Sequence, residues 1–157
     1  MKVNQDAALA FIFREEGGFV NDPHDPGGAT NMGITIATLS RWLGKRASVL
    51  DVKNLEKPLA TAIYEYDYFA PIEFNNLPAG IDVQLVDIAV NAGVGEAHAI
   101  WDRVKKLPPS EQVLAVYNAR TGFYRRLRNF FRYGKVWTGR AKRCYALACQ
   151  VVKRPGG

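Results

Sequence analysis

Between two helix-patterned segments, residues 17–33 read "GGFVNDPHDPGGATNMG", and this run of turn formers limits the fold more than any other stretch. Glycine supplies positive φ, proline fixes φ and removes a donor, and Asn and Asp bond their own backbone, so no helix passes through it. The chain must make a loop or short hairpin there. Most of the remaining sequence carries helix signals. Asn4 can cap a helix over about 5–16, ended by Gly17 and Gly18. Thr35 caps "IATLSRWL", which Gly44 closes. Pro58 opens a helix through "LATAIYEYDYF" to Pro71. "PAGIDVQLVDIAVNAG", from Pro78 to Gly93, is apolar nearly all round and predicts a central helix buried on most sides. Another helix spans Gly95 to Leu107. Ser110 caps a long segment through Arg132, and a last helix runs from about Trp137 to Val152. The expectation is a mainly α, α+β chain of six to seven helices, with a short β-hairpin or loop element after the first.

With 48% apolar residues in 157, the chain can close one hydrophobic core, and it is expected to be a single domain, 1–157, in which 110–157 is a basic helical subregion. "AALAFIF" near the start is too short to span a bilayer, and it lacks the basic flank and cleavage site of a secretory signal. The chain is therefore expected to be made in the cytoplasm, and work beyond the inner membrane would need a separate, holin-like exit route. Cys144 and Cys149 lie five apart on a helix and point to different sides, so both read as free thiols. With only His24 and His98 besides, no metal pattern emerges, and no cofactor is expected.

Charge is unevenly distributed. Residues 1–111 carry 10 Lys+Arg against 15 Asp+Glu, whereas residues 112–157 carry 11 Lys+Arg and no acid. A basic C-terminal third implies an anionic partner. Its arginines and lysines, among them Arg125, Arg132, Lys135 and Arg140, are interleaved with Phe123, Tyr133 and Trp137. That pattern fits a rim for an anionic murein strand, an amphipathic surface for anionic outer-membrane lipid, or solvated helix faces. A nucleic-acid patch fits least, because the acidic N-terminal part would repel phosphate.

The carboxylates near the turn-rich run carry the chemical question. On a helical wheel Leu9, Ile12 and Phe13 form one apolar face, and Glu16 falls on it, while Glu15 points toward the Phe11 side. A carboxylate facing the core, in a last turn whose free carbonyls concentrate negative potential, has its ionised form disfavoured twice. A general acid needs that condition. The competing reading of Glu16 is a helix-end residue paired with an arginine. Asp22 and Asp25 each precede a proline, where Asx turns explain them without chemistry, and Thr30 could be a turn hydroxyl. Asn91, in "VNAG", can either hydrogen-bond an N-acetyl group or cap its helix. Tyr64, Tyr68 and Phe69 recur at helical spacing, which suits a core as well as a sugar platform.

The stretch "EGGFVNDPHDPGGATNMGIT" resembles the signature of glycoside hydrolase family 108, the phage endolysins and secretion-associated muramidases that cut peptidoglycan. "AIYEYDYFAPI" at 62–72 and "LPAGIDVQLVDIAVNAGVGEA" at 77–97 continue the resemblance. "YGKVWTGRAKR" at 133–143 is similar to that family's C-terminal segment assigned to peptidoglycan binding. The resemblance implies a lysozyme-like fold and an N-acetylmuramoylhydrolase acting on the β-1,4 bond between N-acetylmuramic acid and N-acetylglucosamine. It implies the Glu of "EGG", Glu16, as the catalytic acid. The Glu, Asp, Thr spacing of other phage lysozymes points to Asp25 and Thr30 beside it, with one residue fewer between the last two. Asn91, Tyr68, Trp137 and Arg140 are the expected substrate contacts. Peptidoglycan strands are then the partner, with anionic outer-membrane lipid a second one, and a monomer is expected. A lytic transglycosylase, which works with one Glu and no water, is the near alternative. A non-enzymatic cationic wall- or membrane-binding protein is the distant one.

Overall fold

A computed structural model describes residues 2–22 and 27–153, with side chains from Asn4 onward. The chain divides into two compact units, one of Met1–Ala8 with Tyr68–Gly157, the other of Leu9–Asp67. The division falls inside the first helix, α1 (Lys2–Glu16), and inside a π-helical turn, Glu65–Phe69. Among the described residues the fold is mainly α, lysozyme-like in class, with eight α-helices and a two-stranded antiparallel sheet. No helix among them is long and apolar enough to cross a membrane.

In the Leu9–Asp67 unit, the end of α1 buries Leu9, Phe11 and Ile12. Strands β1 (Thr30–Asn31) and β2 (Ile34–Thr35) pair with Thr30 opposite Thr35 and Asn31 opposite Ile34, so only Met32 and Gly33 make the turn. Both have positive φ, 50° and 76°. That is the geometry of a type I′ hairpin, whose twist matches that of its strands. Val20 bridges the other edge of Thr30 through two backbone bonds of 2.8 Å. Asn31 is buried and donates to Val52 O and Lys53 O, the last carbonyls of α3 (Val49–Lys53), which fastens the hairpin to that helix. Helix α2 (Ile36–Leu43) is capped by the Thr35 hydroxyl and closed by Gly44 at φ 64°, as expected from sequence. Helix α4 (Lys57–Tyr64), with proline in its first turn, continues into the π-helical turn. The extra helix beyond the expected count is α3, whose capping box joins Ser48 and Asp51.

In the other unit, α5 (Ile81–Ala92) packs against α6 (Val94–Val104), α7 (Pro109–Arg125) and α8 (Phe130–Val152). Every residue from Ile81 to Ala89 is buried, so the central helix has no solvent face over that stretch. Its first turn is held by Asp82, whose Oδ1 accepts from Gly80 N and Val83 N. Asn4 lies inside α1 rather than capping it, and its amide donates to Asp82 Oδ2 at 2.9 Å. Burial pushes the Asp82 carboxyl up, against these hydrogen bonds. Both cysteines are free. Cys144 is fully buried, which pushes its thiol up, and it contacts Val83 O at 3.8 Å.

The break between the last two helices lies at 126–129, upstream of the expected boundary near Gly134. Gly134 is inside α8 because the Phe130 ring lies against its α-carbon. A Cβ there would come within 2.6–2.8 Å of that ring. The side-chain packing outweighs the roughly 1 kcal/mol that an interior glycine costs a helix.

Candidate active site

Glu16 is the last residue of α1, and Gly17, at φ 76°, turns the chain away while its N–H bonds Phe13 O at 3.2 Å. The Glu16 side chain is half-buried and lies across the tip of the hairpin. A Cβ built on Gly33 would stand 2.8 Å from Glu16 Cγ and 3.0 Å from Glu16 Oε2, and would also strike the Tyr64 hydroxyl. Glycine at 33 is therefore required twice, by its left-handed φ and by the carboxylate resting on it. Tyr64, buried near the end of α4, donates its hydroxyl to Met32 O at 2.8 Å, and its ring stands edge-on to Phe13 at 5.6 Å. Three pieces of the Leu9–Asp67 unit meet at this point: the end of α1, the hairpin tip, and the last turn of α4.

The neighbouring Glu15 has a side chain only 9% exposed, with Arg14 Nη2 at 3.8 Å from its carboxylate. Glu15 and Glu16 are both half-buried. Thr30 lies in β1, its backbone shared between Val20 and Thr35, and its half-buried hydroxyl has no hydrogen-bond partner among the described residues. Asp25, proposed beside it on sequence, and His24 lie outside the described residues.

The remaining expected site residues belong to the other unit. Tyr68 lies in the π-helical turn, half-buried. Such turns frequently accompany functional sites. Asn91 is exposed near the end of α5, but its Oδ1 accepts from the Tyr124 hydroxyl at 2.6 Å. Tyr124 in turn accepts from Arg120 Nε at 2.7 Å. This chain orients the amide so that its NH2 is left for a partner, and helix capping is not its role. Trp137 is half-buried in a row of rings, 5.7 Å from Tyr124 and 5.7 Å from Tyr133.

Arg140 corrects the sequence expectation. Its Nη2 and Nε lie 2.7 and 3.0 Å from Asp87 Oδ1, and the side chain is 10% exposed, so this guanidinium is committed inside the fold rather than offered to a substrate. Arg120 Nη1 holds the other oxygen of Asp87 at 2.7 Å. Burial alone would push the Asp87 carboxyl up, but the charges of Arg120 and Arg140 outweigh it and hold it below the usual carboxylate range. Sequence reasoning missed this triad and missed Gly33. The available signals were an Asp within the apolar run "LVDIAV" and a glycine directly before "IT".

Gly33→Ala is expected to cost about 1–2 kcal/mol for the left-handed backbone alone, seen as a Tm lower by roughly 3–6 °C. Because the added methyl displaces Glu16, any reaction that uses this carboxylate should also fall by about 10- to 100-fold. Full activity in a variant that melts lower would show that the Glu16–Gly33 contact is structural alone.

The family model of glycosyl hydrolase 108 matches residues 9–93, which contain Glu16, Thr30, Gly33, Tyr64 and Asn91. Seven chains of solved structures match. One of them, SagA of Brucella abortus, is 33% identical, with 100% of each chain covered and a TM-score of 0.86. No curated protein matches the chain.

Proposed function

Since the chain belongs to the glycosyl hydrolase 108 family, we propose that this glycoside hydrolase is a muramidase, cutting the β-1,4 bond between N-acetylmuramic acid and N-acetylglucosamine in peptidoglycan, with Glu16 as general acid. The observation that carries the reading is the Glu16 carboxylate resting on Gly33 at the hairpin tip, inside the family-matched segment.

Glycoside hydrolysis needs a proton for the departing oxygen and a negative charge facing an oxocarbenium-like transition state. Glu16 supplies the proton to the glycosidic oxygen as the bond breaks. Asp25 is the proposed second carboxylate, stabilising the cation or activating water, and the Thr30 hydroxyl positions that water. The separation of the two carboxylates decides the stereochemistry, about 5 Å for retention against 6.5 Å or more for inversion. Asn91, with its amide held by Tyr124, is suited to donate to an acetamido carbonyl, and Tyr68 and Trp137 offer ring surfaces to sugar. The enzyme is proposed to act as a monomer, on the wall from the periplasmic side, after release by a separate route.

Digestion of purified sacculi followed by mass spectrometry tests this. Fragments with reducing muramic acid ends are expected. Anhydro-muramic ends would instead assign a lytic transglycosylase, and intact sacculi would remove the enzymatic reading.

A further inference from the structure

The 11 basic residues of 112–157 have no acid among them in sequence, and the fold sorts them. Arg120 and Arg140 turn inward onto Asp87. At the corner between α7 and α8 the others face out: Arg125, Arg126, Arg128, Arg132 and Lys135 are all exposed. Among them stand Phe131, 88% exposed, and Val136, 68% exposed. Phe131 is the most exposed large apolar side chain among the described residues. At about 100° per residue, Phe131, Lys135, Arg132 and Val136 succeed one another around roughly 140° of the outer face of α8. The rotational phase of that face is set by Phe130, whose ring packs on Gly134 and thereby turns Phe131 outward. Lys142 and Arg143 extend the cationic face further along the helix.

From this arrangement we infer that the α7–α8 corner docks on an anionic phospholipid bilayer. Phe131 and Val136 enter the boundary between headgroups and acyl chains, and the flanking Arg and Lys heads meet the lipid phosphates. An interfacial helix needs this combination, apolar side chains that leave water together with cations that stay at the surface. A glycan strand is held by ring stacking and hydrogen bonds, and Val136 offers neither. A merely solvated helix face has no use for a bare phenyl ring beside five cations. Charge complementarity selects the bilayer, because no carboxylate of the segment offsets these cations.

The full-length protein should co-sediment with vesicles of phosphatidylglycerol and phosphatidylethanolamine at low salt, and bind phosphatidylcholine vesicles at least ~10-fold more weakly. The double variant Phe131→Ala, Val136→Ser keeps every charge, and its partition onto the anionic vesicles should fall by about 10-fold. Arg128→Glu with Arg132→Glu should abolish partition at the same salt. Digestion of lipid-free sacculi by the Phe131→Ala, Val136→Ser variant should match wild type, which keeps this result independent of the muramidase reading. Equal binding to neutral and anionic vesicles, or no binding to either, would overturn the proposal. So would an apolar double variant that partitions normally but has lost its hold on sacculi, which would assign the corner to the wall polymer.

Discussion

Glu16→Gln is expected to lower lysis of permeabilised Gram-negative cells by about three orders of magnitude, with the circular dichroism spectrum and Tm unchanged. The amide has the shape of the acid but holds no proton that it can give to a leaving oxygen. Glu16 is the last residue of α1 and half-buried, so exchanging it leaves the packing of Leu9, Phe11 and Ile12 intact. The adjacent position supplies the control. Glu15→Gln alters a neighbouring carboxylate beside Arg14 and should retain most activity. If the two variants behaved the other way round, the acid would be Glu15, and a fully active Glu16→Gln would remove the assignment altogether.

Asp87→Ala is expected to be the most destabilising single change. It would leave two buried guanidiniums without their anion, a loss of roughly 3–5 kcal/mol, or a Tm lower by about 6–20 °C. The same carboxylate gives the unit a pH dependence of definite sign. Its folded pKa is depressed, so its stabilising contribution is present above the ordinary carboxylate value of about 3.9 and is lost as pH falls through the folded value. Urea unfolding of wild type and Asp87→Asn between pH 3 and 7 checks this. The two should begin to converge as pH falls below about 4, and parallel curves would show that the folded pKa of Asp87 is not depressed.

The parts of this structure that were legible in sequence are those set by neighbours in the chain. Thr35 and Gly44 bracket α2 because a hydroxyl cap and a left-handed glycine act within a few residues. The apolar residues on every side of 81–89 announced a helix enclosed by others. Glu16 was legible as the last residue of α1, though the glycine beside it was not, since Gly33 matters through residues 17 and 31 positions away. Long-range pairing explains the other differences. Arg140 looked like one more surface cation because nothing near it in sequence reveals Asp87, 53 residues earlier. The expected break between Arg132 and Trp137 fell inside α8 because the ring of Phe130 upon Gly134 is a packing fact. Helix α3 is too short for periodicity to register, and only its Ser48–Asp51 box betrayed it.

The enclosure of α5 bears on how this protein can vary. Nine consecutive residues, Ile81 through Ala89, have no side that water can reach, and three of them, Asp82, Gln84 and Asp87, are anchored by bonds to other segments. An ordinary surface helix can drift along half its circumference without harm. Here almost every replacement must fit a filled space or break a buried bond, so tolerated substitutions will accumulate on the outer helices while this stretch stays nearly fixed.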